Sequence, residues 1–547
     1  MLEPSQVSLP KVAAAIHLRK KAFEVVQAWE ESNGLLDCFT PGHEAVWWIT
    51  VRNRFVLELA DVFLLLEALQ ALRLQDQDAP QQVMVQASES SRGTYAAAFK
   101  LLFPQCRIQF KKNGPGLRLV SALVRLAGRL RKKTGWARLK KIRGKSGPRV
   151  LIFNTEAHWL GGRDKDMGSI DRELRARGVE VITMASSGMS LREKWAGLVL
   201  RPRDHLFSDV IGLEKAELRG EVRLVERNRF RCDGIDFSSF VAGYVQGLAS
   251  WDFAALDRRW ADLLGRIAPD YLLLAHGHYD GGALPRAAQR AGVKYCVVQH
   301  GRITPYHALY VFPPVAARTY PIPHKIFVYS QEETEILTRR SIFAPETVAA
   351  AGSSEWDPLL EIPGVRERSD SPAGPGSQGL NWLFTSQPGL LESIMRDLMT
   401  SAVQSEPRVN VRIRLHPREK SIWLWRKMLR EAGLEAEIVQ TTPLEDDLRW
   451  CAVHLGYSST CITHAVIANR PSILLGPMDD PWRDQIIADG LALEAGNPAA
   501  VLAAARFWAS SAGQAEFSEK RQSFLKKWGI ELQPSGKNIA DVLYPPV

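Results

Sequence analysis

Short apolar runs alternate with amphipathic segments along most of the chain beyond Pro148. The run PRVLIFN is followed by SIDRELRARG, whose apolar residues recur at helical spacing, and then by VEVITMAS, with Gly178 where the helix would end. The order strand, helix, strand is typical of a parallel α/β unit. A second unit is predicted from WADLLGRIAPD, YLLLAHGH, LPRAAQRAG and VKYCVVQHG, and HKIFVYS supplies a later strand.

The same rhythm begins again after residues 361–380, EIPGVRERSDSPAGPGSQGL. That stretch is rich in Pro, Gly, Ser and charge, which is typical of an exposed linker. Beyond it the runs NWLFTSQ, VNVRIRLHP, AEIVQ, VHLGYSS and PSILLG alternate with helical segments. They predict a second α/β domain.

The part before residue 148 has a different hydrophobic pattern, which is mainly helical. The segment FVLELADVFLLLEALQALRL predicts a strong amphipathic helix, and QQVMVQASES and CRIQFKK are two short candidate strands. The predicted organisation is a mainly helical accessory region at 1–147, a domain at 148–360, a linker at 361–380, and a domain at 381–547 that ends in helices.

Composition narrows the class of protein. The chain has 547 residues, 46% hydrophobic and 24% charged, as expected of a globular protein of several domains. Its most apolar stretch, Phe55 to Leu74, is interrupted by three acidic residues, and the first residues lack the pattern of an export signal. We therefore expect a cytoplasmic protein. The six cysteines form no C-x-x-C pair, which argues against a zinc knuckle or a redox motif. The motif H-E-x-x-H is also missing from the sequence, and neither a metal site nor a cofactor is predicted.

The positive charge is concentrated in one segment. Residues 111–147 contain no acid, and the eleven cations from Arg118 to Lys145 alone exceed the net charge of +10. The rest of the chain is therefore close to neutral, which argues against a nucleic-acid partner. Apolar residues such as Leu123 and Trp136 interleave with these cations. This basic amphipathic segment fits a helix on the inner face of an anionic membrane, and it equally fits a solvated helix that ends in a linker.

Polar residues follow two strands of the second predicted domain. In VRIRLHPRE a strand leads to His416 and a turn imposed by Pro417, and in VHLGYSSTCITHAVIANRP a strand ends at Ser458, Ser459 and Thr460 before a helix. The carboxyl ends of parallel strands bind ligands, and hydroxyl and N–H groups at a helix start can receive a phosphate. The alternatives are a structural turn histidine and simple capping of the helix.

This combination of motifs resembles a known family. His416 with Pro417, followed by Ser458, Ser459 and Thr460 and then by IANRPSILL, is similar to the His-Pro and Ser-Ser motifs of bacterial polysialyltransferases, capsule glycosyltransferases and CDP-glycerol glycerophosphotransferases. The resemblance implies a GT-B architecture, an α/β fold with two Rossmann-like domains that face a cleft. It also implies that the histidine and the serines hold the phosphate of a CMP or CDP leaving group, a task to which Arg414 could contribute.

Three residues are candidates for the base that would activate an acceptor hydroxyl. Asp280 follows a predicted strand in HGHYDGG, His300 ends a strand in VVQHG, and Glu156 follows the first strand in FNTEAHW. Such transfer needs a carboxylate or imidazole within hydrogen-bond reach of the hydroxyl. We rank Asp280 before His300 and Glu156, and a buried turn histidine is the alternative for His300.

The function expected from these features is transfer of a sugar from a nucleotide-activated donor, most simply CMP-linked, to a glycan or lipid-linked acceptor in surface polysaccharide synthesis. The same residues would suit a transferase that uses a CDP-polyol, and the same fold occurs in nucleotide-sugar 2-epimerases. A catalytically inactive scaffold with two α/β domains is a further alternative. The E-x7-E arrangement of the retaining GT-B enzymes is not seen near the predicted nucleotide site, which favours inversion or a different retaining mechanism.

Overall fold

A computed structural model gives the fold of the chain. It describes residues 15–32, 47–48, 52, 55–57, 59–60, 63, 82–85, 107–110, 147–154, 167–185, 205–207, 230–232, 235–238, 253–275, 283–365, 381–387, 392–406, 409–416, 419, 422–457, 459–476 and 481–546. In these ranges no helix has the length and apolar character that a membrane span needs.

The N-terminal part contributes one long helix and a pair of short strands, namely α1 (Ala15–Ser32), β1 (Gln82–Val85) and β2 (Arg107–Phe110). β1 and β2 pair in parallel, as the strands predicted there allow. The residues described between 52 and 63 are helical, in agreement with the predicted amphipathic helix. Most of the basic amphipathic segment, 111–147, lies outside the described residues.

The first large sheet has seven parallel strands. The elements of this part are β3 (Arg149–Asn154), α2 (Gly168–Ala176), β4 (Glu180–Ala185), β5 (His205–Phe207), β6 (Arg231–Cys232), β7 (Ile235–Asp236), α3 (Phe253–Ile267), β8 (Tyr271–Leu274), α4 (Ala283–Arg290), β9 (Lys294–Val298), β10 (Lys325–Val328), α5 (Gln331–Arg340) and β11 (Val348–Ala350). Across the sheet the order is β11-β10-β9-β8-β3-β4-β5. The predicted units are confirmed, and Gly178 (φ +77°) follows α2 in the left-handed conformation that glycine adopts without strain.

The second large sheet has six parallel strands. Its elements are β12 (Asn381–Thr385), α6 (Glu392–Val403), β13 (Asn410–Arg414), α7 (Ile422–Ala432), β14 (Ala436–Val439), α8 (Leu444–Trp450), β15 (Val453–Gly456), α9 (Cys461–Ile467), β16 (Ser472–Leu475), α10 (Pro481–Ala488), β17 (Ala492–Ala495), α11 (Pro498–Ala509), α12 (Ser511–Lys527) and α13 (Ser535–Leu543). The order is β14-β13-β12-β15-β16-β17. Every residue of β12, β15 and β16 is buried, as expected for strands covered by helices on both faces.

Each sheet contains one point at which the order of strands reverses. In the first sheet this switch lies between β3 and β8, and in the second it lies between β12 and β15. Open parallel sheets bind ligands beyond the carboxyl ends of the strands at such a point. The two doubly wound sheets form the two Rossmann-like α/β domains of the GT-B architecture, so the predicted fold class is confirmed.

The N-terminal helices pack into the hydrophobic core of the first sheet. Trp47 and Trp48 are completely buried there. Arg52, also fully buried, pairs with Glu30 at 2.9 Å and donates hydrogen bonds to the carbonyl oxygens of Ala308 (3.1 Å) and Val311 (2.8 Å). Burial raises the pKa of the Glu30 carboxyl, which the Arg52 charge opposes. The described N-terminal residues therefore share one core with the first sheet.

The helix α13 crosses from the second sheet back to the first and packs against α2. Gly536 lies so close to α2 that an added Cβ would stand 2.5 Å from the Ser169 carbonyl oxygen. At the same junction the Arg177 guanidinium pairs with Asp541 at 2.7 Å. The Ser535 N–H and hydroxyl both bind the buried carboxylate of Asp357, at 2.8 and 3.1 Å. The last described helix therefore fastens the two halves together.

Candidate functional site

The carboxyl edges of the two sheets meet. Arg302, four residues beyond β9, places its guanidinium 3.5 Å from the ring centroid of Trp482, the second residue of α10, which follows β16. The same guanidinium lies 5.2 Å from the ring of Trp528. The backbone N–H of Gln331, at the start of α5, donates to the Trp528 carbonyl oxygen at 3.0 Å. The loops that follow the strands of both sheets therefore border one region.

His416 lies in a turn held by backbone hydrogen bonds at the end of β13. Its N–H donates to the hydroxyl of Ser386, which follows β12, at 3.0 Å. Its carbonyl oxygen accepts from the side-chain amide of Gln440 (3.0 Å) and from the N–H of Glu419 (2.8 Å). The side chain is half-buried. Pro417, which we expected to set this turn, lies outside the described residues.

Ser459 and Thr460 form the turn between β15 and α9. The Ser459 hydroxyl accepts from the N–H of Cys461 at 3.2 Å, and the Ser459 carbonyl oxygen accepts from the N–H of Ile462 at 3.0 Å. These two N–H groups are therefore already bonded, and α9 has only seven residues. Thr460 is the N-cap residue of α9 and makes no side-chain capping bond, so the bond of Ser459 is a local turn contact between residues two positions apart. Ser458 lies outside the described residues.

The His416 turn and the Ser459–Thr460 turn flank the end of β12. Neighbouring strands in a sheet are about 4.8 Å apart, so the ends of β13 and β15, with β12 between them, are separated by about 10 Å. The switch point of the second sheet lies between β12 and β15. Of the sequence-predicted residues of this domain, His416, Ser459 and Thr460 therefore lie at the edge where such sheets bind ligands.

Arg414 is engaged in a different contact. Its guanidinium lies 2.5 Å from Asp447 and 3.2 Å from the Thr442 hydroxyl, and Arg412 binds the same carboxylate at 3.0 Å. The Asp447 side chain is 1% exposed, so removal of either arginine would leave a buried charge less well compensated. These contacts hold Arg414 against α8.

Sequence reasoning missed Arg483, which fastens the loops of this edge. The residue is fully buried and donates to the carbonyl oxygens of Tyr457 (3.0 Å), Leu475 (3.2 Å) and Leu474 (3.3 Å), with a further bond to that of Gly476. Its guanidinium also pairs with Glu494 at 2.7 Å. One arginine therefore joins the ends of β15 and β16 just ahead of the Ser459–Thr460 turn. An arginine inside an otherwise ordinary helix gave no signal in the sequence.

A second contact missed by the sequence analysis joins the Ser459–Thr460 turn to the segment between the two sheets. His464, on α9, lies with Nδ1 2.7 Å from the Thr460 carbonyl oxygen and Nε2 2.8 Å from Oε2 of Glu355. The His464 side chain is 6% exposed and that of Glu355 is 20% exposed. Glu355 comes from the stretch VAAAGSSEWDPL, well before the second sheet.

His300 occupies a restrained loop at the end of β9. Its N–H donates to the hydroxyl of Tyr310 at 3.3 Å, and Gly301 (φ +74°) donates to that of Tyr329 at 3.2 Å. The buried Gln299 donates to the Gly301 carbonyl oxygen (2.9 Å) and to Glu333 (3.2 Å). His300 itself is half-buried, so the loop is fixed while its imidazole keeps contact with solvent.

The two carboxylate candidates for the base lie outside the described residues. Glu156 follows β3 and Asp280 follows β8, and these strands are the pair that flanks the switch point of the first sheet. Their roles stay predictions.

Glu332, at the start of α5, is a described carboxylate with a shifted pKa. Burial raises the pKa of its carboxyl to about 7, opposed by Arg302 at 3.7 Å.

No group of three or more His, Cys, Asp or Glu side chains in the described part of the chain is arranged to hold a metal ion.

His454 has a structural role in the second sheet. It is fully buried and bonds the hydroxyls of Thr385 (2.9 Å) and Ser472 (3.0 Å) across three strands. Burial lowers the pKa of its imidazole to about 3, so the ring is neutral and structural.

Comparison with known proteins gives matches to solved structures alone. No protein-family model and no curated protein matches the chain. Three of the similar structures are the lipopolysaccharide outer core galactosyltransferase WaaB (11% identity, 73% of this chain, 99% of that one, TM-score 0.42), MurG of Acinetobacter baumannii (12%, 73%, 99%, 0.42) and the UDP-GlcNAc 2-epimerase of Neisseria meningitidis bound to UDP-GlcNAc (14%, 69%, 98%, 0.44). These TM-scores lie below 0.5, and the architecture stated above rests on the topology of the two sheets.

Proposed function

We propose that this chain is a glycosyltransferase of surface polysaccharide synthesis that takes its sugar from a nucleotide-activated donor. The observation that carries the proposal is the meeting of two doubly wound sheets at their carboxyl edges, with His300 on one edge and His416, Ser459 and Thr460 on the other. In such an arrangement each sheet can bind one of two substrates at its carboxyl edge. A group transfer needs donor and acceptor to be bound next to each other.

The second sheet is proposed to hold the donor. His416 and the Ser459–Thr460 turn lie on either side of the end of β12, where an imidazole and hydroxyl groups can bind phosphate oxygens. Departure of a nucleotide develops negative charge on its phosphate, and groups fixed in advance around that charge lower the barrier. Arg414 remains a candidate for the same phosphate, and its guanidinium pairs with Asp447.

The first sheet is proposed to hold the acceptor. The bond between the sugar carbon and the donor phosphate breaks, the acceptor hydroxyl oxygen forms the new bond to that carbon, and its proton passes to the base. Asp280, His300 and Glu156 remain the candidates for this base. The phosphate leaves with the electron pair of the broken bond.

The finer features of the proposal come from the sequence. The resemblance of the His416 and Ser459 motifs to capsule enzymes favours a CMP-linked donor and a glycan or lipid-linked acceptor. The basic segment at 111–147 is proposed to attach the enzyme to the inner face of the membrane, where a lipid-linked acceptor would be found.

A panel of nucleotides tests the proposal. We expect CMP to raise the melting temperature more than CDP, UDP, UMP or GDP. A ligand that binds only the folded state adds about 2.7 kcal/mol of stability at a concentration of 100 Kd, so at equal concentration the nucleotide with the lowest Kd gives the largest rise. His416→Ala should lose this increase while its own melting temperature without nucleotide stays near that of the parent.

The outcomes separate the candidate activities. If none of the five nucleotides raises the melting temperature, the nucleotide-dependent function is wrong. If UDP acts alone, the CMP donor is wrong, and conversion of a UDP-sugar without any acceptor would identify an epimerase. Release of CMP together with transfer of a polyol phosphate would identify the CDP-polyol transferase.

A further inference from the structure

The histidine on α9 is held between two oxygen atoms that can only accept hydrogen bonds. One is the carbonyl oxygen of Thr460, 2.7 Å from Nδ1, and the other is the Glu355 carboxylate, 2.8 Å from Nε2. The ring therefore bridges the Thr460 carbonyl oxygen and the Glu355 carboxylate.

The carboxylate on the far side of this ring belongs to a firmly anchored segment. The neighbouring Ser354 hydroxyl lies 3.0 Å from that of Ser169 on α2 and 3.3 Å from that of Ser535 on α13. The next residue, Trp356, packs its ring against Tyr329 with centroids 5.2 Å apart. Glu355 is therefore fixed relative to the first sheet as well as to the second.

The Thr460 carbonyl oxygen is in contact with two nitrogen atoms of His464. It accepts from the backbone N–H of His464 at 3.2 Å, within the first turn of α9, and from Nδ1 of the same residue. The side-chain bond adds a restraint that the helix alone would not provide. Because Thr460 follows Ser459 directly, the orientation of both hydroxyl-bearing residues depends on this restraint.

We propose that the Glu355–His464 pair positions the Ser459–Thr460 turn for the donor phosphate and makes donor affinity depend on the segment that joins the two sheets. The inference rests on the proposed function of that turn. Both members of the pair are positioning residues, since neither is required to touch the donor. The pair acts on the donor through the orientation of the Ser459–Thr460 turn.

A purely structural ion pair would behave differently. It would lower the melting temperature when broken and leave the affinity for nucleotide unchanged. A positioning pair raises the Kd for the nucleotide and the KM for the donor, with kcat and the KM for the acceptor changed much less. The two explanations are therefore separated by affinity and not by stability.

Calorimetric titration with CMP provides the test. Glu355→Gln keeps an oxygen that can accept from Nε2 but removes the charge, and His464→Gln can reach only one of the two partners. We expect the Kd for CMP to rise about tenfold in each variant, a loss of about 1.4 kcal/mol. The double variant should lie within about twofold of the weaker single variant, because both substitutions break one chain of contacts.

Asp541→Asn is the matched control. It also neutralises a carboxylate that pairs across the two halves, with Arg177 at 2.7 Å, but at the α2–α13 junction and not at the strand ends. Its Kd for CMP should equal that of the parent. Parent binding with unchanged Kd in both Glu355→Gln and His464→Gln would overturn the positioning role alone. Absence of CMP binding in the parent would overturn the proposed donor site, and the positioning role with it.

Discussion

Two buried histidines of the second domain have different partners. His454 lies between two hydroxyl groups, each of which can donate or accept, so a neutral ring satisfies both contacts. His464 lies between the Thr460 carbonyl oxygen and the Glu355 carboxylate. The first histidine therefore joins neighbouring strands of the sheet, and the second one joins the start of α9 to the segment between the sheets.

The buried neutral histidine should make stability depend on pH. The pKa of His454 falls to about 3 in the folded chain from an ordinary value of 6.5, so between these values the unfolded chain binds a proton that the folded chain does not. Its contribution is complete above pH 6.5 and is lost as the pH falls. For this residue we expect about 2 kcal/mol less stability at pH 5 than at pH 8.

Denaturant unfolding of the parent and of His454→Asn at both pH values measures this contribution. Other histidines contribute equally to both proteins and cancel in the difference. The variant should be less stable at pH 8 but lose less stability on acidification. An identical pH dependence in the two proteins would contradict the assignment of a neutral buried ring.

Residues of the site differ in how far the sequence could reveal them. His416 and Ser459 were predictable because apolar runs mark the ends of strands, and ligands bind at those ends. Glu355 and His464 are 109 positions apart, and Arg483 and Tyr457 are 26 apart. Such contacts depend on how α9, α10 and the connecting segment pack in three dimensions. No local pattern in the chain encodes them.

At the scale of elements, strands buried on both faces were the most predictable. β12 and β16 are continuous apolar runs and were found from the sequence, together with β3, β8, β9 and β10. β5 and β11 have three residues each, and β17 is buried only at its first and last residues, so none of them produces a distinct apolar run. Their place in the sheets is set by pairing with neighbours.

The basic segment at 111–147 is an element whose role is testable without knowledge of its conformation. Each basic residue near an anionic surface contributes about 1 kcal/mol, so replacing five of them by Gln should release the protein from anionic vesicles. The substituted residues are Arg131, Lys132, Lys133, Lys140 and Lys141. We expect the parent to sediment with anionic vesicles and not with neutral ones, and to dissociate in salt.

A variant with the same change in charge elsewhere provides the control for vesicle binding. Five exposed cations on the described helices serve this purpose, namely Arg266, Arg339, Lys427, Arg449 and Lys537. The control variant should still sediment with anionic vesicles. Equal sedimentation of the parent and the 111–147 variant would leave the solvated helix and linker as the better interpretation.

At the scale of the whole molecule, the contact between α2 and α13 holds the two halves together. Gly536→Ala should weaken it by about 1–3 kcal/mol, because the new Cβ would overlap the backbone of Ser169 and Ile170, which cannot move aside as a side chain could. Gly265→Ala is the matched control, since nothing lies within 4 Å of its added Cβ.

Thermal unfolding distinguishes these two substitutions. The melting temperature should fall for Gly536→Ala, whereas Gly265→Ala should hold or raise it, since alanine favours the middle of a helix by up to about 1 kcal/mol. An unchanged melting temperature for Gly536→Ala would mean that α13 shifts on α2 without cost.

The position of α13 also bears on how the protein is made. Residues of α2 such as Ile170 and Leu174 are buried together with Ile539 and Leu543 of α13, which the ribosome adds only after the entire second sheet. Arg52 likewise binds the carbonyl oxygens of Ala308 and Val311, which are synthesised more than 250 residues later. The first domain therefore cannot complete its core while it emerges. Contacts this distant in the chain slow folding and leave apolar surface exposed in the meantime. We therefore expect the nascent chain to be most prone to aggregation before residues 535–543 are synthesised.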